Sequence, residues 1–290
     1  MNKILNGKEF SKEIENEIKI KVNEYVQIYN KRPKLVTIMV GDSIESLKYV
    51  NMKEKACKRV GIDAINVQIA MCTTEELLKI IDKLNQDENV NGILIQHPLP
   101  ECIDESLCLN KVLPEKDVDG LTLLNFAQLS IGTPNLVPCT PKGIIHLLKK
   151  YNIELEGKKA IVIGRSRILG KPLAMMLLEE NATVTIAHSK TKDIEKLVKE
   201  SDIICACCGV PKFVQKEWIK EGAIIIDAGY NAGNIGDVDP TCYEVASLYT
   251  PVPGGVGPMT ITELVSQTLE AFEKQNNIKV KKLIKQLKDI

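Results

Sequence analysis

Apolar residues follow two rhythms that alternate along this chain. Compact apolar runs occupy positions 35–40, 65–69, 92–96, 160–163, 183–187, 203–207 and 223–227. Between them lie longer stretches, at 46–60, 74–84, 141–151, 171–180, 193–201 and 258–274, where apolar positions recur every three or four residues. The first rhythm predicts buried strands and the second amphipathic helices. Residues 8–29 predict a further long helix, ended before Arg32-Pro33. Strands alternating with helices predict an α/β protein whose parallel sheets are covered on both faces.

The alternation breaks between Pro98 and Pro141, where Pro100, Pro114, Pro134 and Pro138 also fall among polar turns and short helices. Such a stretch predicts a connection between two α/β domains, at about 1–139 and 140–257. The last helix, from 258 onward, has the pattern to return to either.

Composition narrows the class. With 44% hydrophobic and 26% charged residues, this is an ordinary globular chain. The 38 basic and 38 acidic residues balance, which argues against nucleic acid or an anionic membrane as partner. Residues 279–288 are locally basic, as a solvated helix face would be. No apolar run approaches membrane-spanning length, and the N-terminus lacks the apolar core of a secretory signal. Nine cysteines, an odd number used as small apolar residues, fit a reducing cytoplasm. Alternation along the run 203–208 sends Cys207 and Cys208 to opposite faces. Three histidines, none paired with a carboxylate at ligand spacing, predict no metal site.

Candidate chemistry falls in three places. In the second half, a strand runs into Gly164-Arg165-Ser166 and a helix start at Gly170. Gly164 permits a tight turn, Gly170 permits close packing, and helix N–H groups attract a phosphate. The spacing G-x-S-x-x-x-G departs from G-x-G-x-x-G, and a ligand-free turn is the alternative. The next strand ends at His188-Ser189-Lys190, where an NAD site usually places an acid. A hydroxyl and a lysine there, with Arg165, suit the 2′-phosphate of NADP; otherwise Ser189 caps the following helix and Lys190 is solvated.

In the first half, Ser46, Tyr49 and Lys53 share one helix face, and Gln96 ends a strand before His97-Pro98. The carboxyl end of a parallel strand is where ligands bind in open α/β sheets. Burial of that helix face would make Lys53 a usable acid or base; a solvated lysine is the alternative. Asp117 and Asp119 precede Gly120, as a turn or as a carboxylate for a ligand rich in N–H donors. The third place is the decapeptide 251–260, Pro-Val-Pro-Gly-Gly-Val-Gly-Pro-Met-Thr, which can be neither ordinary helix nor strand. It predicts either a tight turn or a loop whose backbone lies against a ligand, with Pro258 opening the last helix.

Ser46-x-x-Tyr49-Val50-x-x-Lys53, Gly92-x-x-x-Gln96-His-Pro-Leu-Pro100, Lys116-Asp-Val-Asp-Gly120, Cys139-Thr-Pro-Lys-Gly143, Gly164-Arg-Ser166, His188-Ser189, Asp227-Ala-Gly229 with Asn231, and the decapeptide occur in this order. Together the motifs resemble the bifunctional methylenetetrahydrofolate dehydrogenase/methenyltetrahydrofolate cyclohydrolase family, nearly end to end. The resemblance implies a folate-binding catalytic domain at 1–139, completed by helix 258–290. It also implies a Rossmann-type NADP-binding domain at 140–257, an active-site cleft between the two, and a homodimer. The implied reactions are oxidation of 5,10-methylenetetrahydrofolate with NADP and hydrolysis of the methenyl product to 10-formyltetrahydrofolate, a one-carbon supply for purine biosynthesis.

By matching positions, the resemblance makes Lys53 the catalytic lysine. It sets Tyr49 along the folate, Gln96 against Lys53 and Asp119 on the pterin. Pro253, Gly254, Gly255, Gly257 and Pro258 would close over the substrate, and Gly164, Arg165, Ser166, Gly170, Ser189 and Tyr230 would bind the cofactor. Three residues depart from the family pattern: His97 after the glutamine, Arg167 adding charge beside the phosphates, and Tyr230 before Asn231. An enzyme keeping only the dehydrogenase step, and a non-catalytic nucleotide-binding module, are the alternatives; the retained Tyr49, Lys53 and Gln96 argue against the first, and Lys53, Asp119 and the glycine loop against the second.

Overall fold

The computed structural model describes residues 3–278. In chain order the first elements are α1 (Gly7–Tyr29), β1 (Lys34–Val40), α2 (Ile44–Val60), β2 (Asp63–Ile69), α3 (Thr74–Gln86) and β3 (Gly92–Ile95). Two short helices, α4 (Glu105–Lys111) and α5 (Leu123–Ser130), lead into α6 (Cys139–Lys150). Then come β4 (Lys159–Ile163), α7 (Gly170–Glu179), β5 (Thr183–Ala187), α8 (Ile194–Lys199) and β6 (Ile203–Ala206). The last are β7 (Ile224–Asp227), β8 (Leu248–Tyr249) and α9 (Val256–Gln275).

All strand pairs are parallel, in a three-stranded sheet ordered β2-β1-β3 and a five-stranded sheet ordered β5-β4-β6-β7-β8. Strands β1, β4 and β6, central in their sheets, and β3, at an edge of the small one, are almost wholly buried because both their faces are covered. Edge strands β2 and β5 alternate with exposed positions.

The described residues divide into two compact units: 18–118 with 265–278, around the small sheet, and 3–17 with 119–264, around the large one. Helices α1 and α9 each contribute to both. The proline-rich stretch is therefore divided, since residues from 119 onward pack with the large sheet. The basic run 279–288, and the end of the helix expected to reach 290, lie outside the described residues.

Local chemistry sets most boundaries. Ser43 caps α2, and Gly61 ends it at φ +84°, a conformation least costly for glycine. Thr73 and Glu76 form a capping box on α3. Two helices begin earlier than their prolines suggest: α6 at Cys139 and α9 at Val256, so that Pro141 and Pro258 stand third. Proline fits there because first-turn N–H groups have no helical partner to lose.

The large sheet has a core on each face. Leu147, Val162, Leu173 and Cys205 pack on one side, Ile161, Ile204, Ile225 and Val238 on the other. Cys207 packs against the first core and Cys208 against the second, as strand alternation requires, although β6 itself ends at Ala206.

Candidate active site

In the small-sheet unit, α2 carries Tyr49 and Lys53 one turn apart, and β3 delivers Gln96 just past its carboxyl end. Lys53 Nζ donates to Gln96 Oε1 at 2.9 Å. Gln96 is held at both ends: its backbone N–H donates to the Ile38 carbonyl at 2.8 Å, and its Nε2 donates to the His97 carbonyl at 2.8 Å. Since Nε2 is committed to His97, the amide oxygen is the end that faces the lysine. Tyr49 is 39% exposed while Ser46 and Val50 on the same helix are buried. The face that Ser46 shares with Tyr49 is therefore buried at Ser46 and opens to solvent at Tyr49, one turn on.

The His97 side chain has a carboxylate neighbour, its Nδ1 lying 3.3 Å from Glu105 Oε1. Lys116, in the Lys-Asp-Val-Asp-Gly motif, has a structural assignment. Its Nζ donates to the carbonyls of Leu84, Asn85 and Asp87 at 3.1, 2.8 and 2.7 Å, closing the C-terminus of α3. Burial holds its ammonium below the usual lysine range.

In the large-sheet unit, Asp119 precedes Gly120, whose φ of +65° makes the turn. A Cβ on Gly120 would sit 2.2 Å from the Val137 carbonyl carbon, so glycine is required twice over. Burial, with Asp119 alongside, pushes the Cys139 thiol well above its ordinary range, so it is no nucleophile.

The nucleotide turn is built of backbone. Gly164 has φ +137°, and a Cβ there would lie 2.3 Å from the Cys207 carbonyl oxygen. A Cβ on Gly170 would lie 2.3 Å from the Gly164 carbonyl oxygen. A Cβ is thus excluded at both ends of the turn, and inside it the Lys171 N–H is taken by the Ser166 carbonyl at 3.1 Å. Ser166 Oγ accepts from the N–H groups of Leu169 and Gly170 at 3.2 and 3.3 Å, stiffening the helix start. Arg165 and Ser166 are exposed. Arg167, in the same turn, donates through Nη2 to the Leu121 carbonyl.

After β5, Thr191 and His188 close their own turn: the His188 N–H donates to Thr191 Oγ1 at 2.9 Å, and the Lys190 N–H to His188 Nδ1 at 3.1 Å. The residue at the cap position of α8 is Asp193, not Ser189, which stays exposed. Tyr230 is 60% exposed, its hydroxyl donating to Asn234 Oδ1 at 2.7 Å.

Beneath these loops lies a pair of buried carboxylates for which the sequence assigns no shared role. Asp227 accepts from the backbone N–H groups of Gly229, Asp237 and Val238 at 3.0, 2.9 and 3.0 Å. Asp237 accepts from the N–H groups of Cys208 and Gly209 at 2.8 and 2.7 Å and from Asn231 Nδ2 at 3.0 Å. Burial pushes the Asp227 carboxyl up to about 6, against the pull of its three donors. The pair joins the loops following β6 and β7, near where a dinucleotide lies in such sheets. Asp237 in Gly236-Asp237-Val238 gives no signal in one sequence, because a lone Asp after Gly reads as a turn.

The decapeptide divides its glycines by purpose. Gly254, at φ +109°, accepts at its carbonyl from the Lys8 N–H at 2.9 Å. Gly255 is buried; its N–H donates to the Pro251 carbonyl at 2.8 Å, and a Cβ would lie 2.6 Å from Thr250 Cβ. Gly257 has nothing within 4 Å of a would-be Cβ. Two of the three glycines are thus explained by the loop's own packing. Another buried acid, Glu263 on α9, lies 2.7 Å from His146 Nδ1 and 3.6 Å from Lys142 Nζ.

Comparison with known proteins agrees with this geometry. Residues 5–119 match the tetrahydrofolate dehydrogenase/cyclohydrolase catalytic domain, and residues 138–276 match that family's NAD(P)-binding domain. This chain belongs to the tetrahydrofolate dehydrogenase/cyclohydrolase family. Both of the family's domains are present, and the fold is its pair of parallel-sheet α/β domains. The curated Bifunctional protein FolD of Cellvibrio japonicus is 49% identical over 274 residues, covering 94% of this chain and 98% of its own length. The crystal structure of the bifunctional FolD enzyme of Campylobacter jejuni is 40% identical, with a TM-score of 0.91 over 94% of this chain and 99% of its own. A Trypanosoma brucei dehydrogenase-cyclohydrolase, solved with NADP cofactor and an inhibitor, is 37% identical with a TM-score of 0.91, over 94% of this chain and 98% of its own.

Proposed function

We propose that this protein oxidises 5,10-methylenetetrahydrofolate to the 5,10-methenyl cation with NADP+ and hydrolyses that cation to 10-formyltetrahydrofolate. The observation that carries the reading is the 2.9 Å hydrogen bond from Lys53 Nζ to Gln96 Oε1 at the carboxyl end of β3. A purely dehydrogenating enzyme has no use for an aimed amine, whereas hydrolysis of a cation does.

Bound at the Gly164–Gly170 turn, NADP+ supplies the acceptor for the hydride. The residues present fit that group: a turn with glycine at 164 and 170, where a Cβ would collide with backbone, and exposed Arg165, Ser166 and Ser189 for phosphate oxygens. Tyr230, Asn231 and their loop would border the nicotinamide side, on the platform that Asp227 and Asp237 brace.

The methenyl product carries an amidinium-like charge that an ammonium would repel. Neutral Lys53 keeps a lone pair while one of its N–H groups donates to Gln96. It takes a proton from the water that attacks the methenyl carbon, and the resulting carbinolamine opens to the formyl product. Tyr49 would lie along the folate, Asp119 would accept from pterin N–H groups, and Pro253, Gly254, Gly255, Gly257 and Pro258 would border the substrate.

We place the two functions at 1–139 with the helix from 258, for folate, and 140–257, for NADP. We further propose a cytoplasmic homodimer feeding purine biosynthesis, a reading supported by the family resemblance and by nine cysteines that are all free thiols. The decisive assay follows NADPH and methenyl absorbance after mixing purified protein with methylenetetrahydrofolate and NADP+, with NAD+ in parallel. NADPH formation followed by methenyl decay faster than the spontaneous rate is the expected result; stable accumulation of the methenyl compound would leave only the dehydrogenase.

A further inference from the structure

We infer that Glu105 is a positioning residue for the hydrolysis, holding the turn at 96–99 so that the Gln96 amide presents its oxygen to Lys53. The inference rests on the proposed roles of Lys53 and Gln96 and extends them to a residue outside every motif of the sequence.

A glutamine amide can face a lysine with either end, and only the oxygen end accepts a proton. Here the choice is made by the His97 carbonyl, which takes Gln96 Nε2 at 2.8 Å. Anything that turns this carbonyl releases the amide. One carboxylate braces the turn on both sides of Pro98: Glu105 Oε2 accepts from the Leu99 N–H at 2.9 Å, and Oε1 faces His97 Nδ1 at 3.3 Å. The ring's other nitrogen, Nε2, is buried with no hydrogen-bond partner among the described residues. The ring therefore has its polar neighbour, Glu105, on the Nδ1 side.

Glu105 is itself well anchored. It is the first residue of α4, whose cap Asp104 accepts from the Leu107 N–H at 2.9 Å and donates its own N–H to Thr74 Oγ1 at 3.0 Å. The resulting chain runs from α4 through Glu105, the His97 carbonyl and the Gln96 amide to Lys53. Every link lies within the small-sheet unit, and Glu105 stands three links from the reacting amine.

The test is a double-mutant cycle on methenyltetrahydrofolate hydrolysis, with NADP+ binding as the control. Glu105→Ala is expected to lower kcat about tenfold with KM little changed, as expected when a group is misplaced rather than lost. In a Gln96→Ala background the same change is expected to cost less than about twofold, because its effect passes through Gln96. Glu105→Gln retains one acceptor oxygen and is expected to recover most of the rate; it also serves if the alanine variant folds poorly. Equal losses in both backgrounds, or no loss from Glu105→Ala in a folded protein, would overturn the inference. Undiminished hydrolysis by Gln96→Ala alone would instead overturn the underlying reading of the site.

Discussion

In the small-sheet unit the candidate reacting group is a side chain, Lys53 Nζ, delivered by α2 and aimed by Gln96 at 2.9 Å. In the large-sheet unit the candidate ligand-facing groups are backbone N–H groups between Gly164 and Gly170, where contacts of 2.3 Å leave no room for a Cβ. A site made of side chains stands on packing that does not depend on it, so changing it should alter chemistry and spare the fold. A site made of backbone is itself packing, so changing it should harm fold and binding together.

The largest expected effect is at the lysine. Lys53→Met should lower the hydrolytic kcat by about 10³-fold, within the range for loss of a general base, while shifting the thermal midpoint little. Retained hydrolysis in a stopped absorbance assay would remove Lys53 from the mechanism and break the contrast. Next is Gly170→Ala, whose new methyl meets the Gly164 carbonyl oxygen. Overpacking of this kind costs about 1–3 kcal/mol or more, and NADP+ titration should show weakened binding alongside the lost stability. Normal stability with lost binding would mean that the turn yields, contrary to its geometry.

The buried carboxylates extend the contrast to pH. Asp227 is raised from 3.8 to about 6, so between these values the folded state binds more protons than the unfolded. Its contribution is fully present below about 3.8 and is lost as pH rises through about 6. Asp227→Asn should remove that slope, seen as a difference between the variant's and parent's denaturation midpoints across this window. An Asn also turns its amide N–H groups toward a backbone donor, so a loss of about 1–3 kcal/mol at neutral pH should accompany it. A parallel pair of curves would show that Asp227 does not titrate there.

The smallest expected change in stability is the most informative about the decapeptide. Gly255→Val should destabilise simply by colliding with Thr250 and Pro251, and therefore says little about ligands. Gly257 stands in open space within the first turn of α9, where Ala should leave stability unchanged or raise it by about 0.5 kcal/mol. If this stretch lies against folate, Gly257→Ala should nonetheless raise the KM for methylenetetrahydrofolate. An unchanged KM would return the loop to a purely structural role.

Strand and helix alternation was legible because buried parallel strands must be apolar on both faces and covering helices on one. The phosphate turn was legible too, since a chain that passes this sharply from strand to helix needs glycine at both ends. Less legible were partnerships across long sequence separations. Lys116 reads as part of a ligand motif but closes α3, because three carbonyls left over at a helix end attract the nearest ammonium. Arg167 reads as added charge in the glycine turn, with nothing in sequence to show its bond to the Leu121 carbonyl. Asp237 and Glu105 carry no local pattern, since a hydrogen bond to a distant backbone N–H leaves no periodic trace.

By itself the sequence determined the α/β class, most of the elements, and the chemistry available at Lys53, Gln96 and the glycine turn. These follow from local sterics and from which side chains prefer water. Only the tertiary structure decided which end of the Gln96 amide faces the lysine, which glycines of the decapeptide are fixed by packing, and which charges are committed to structure. Each of those depends on a contact between residues far apart in the chain, and such contacts exist only once the sheets have brought them together.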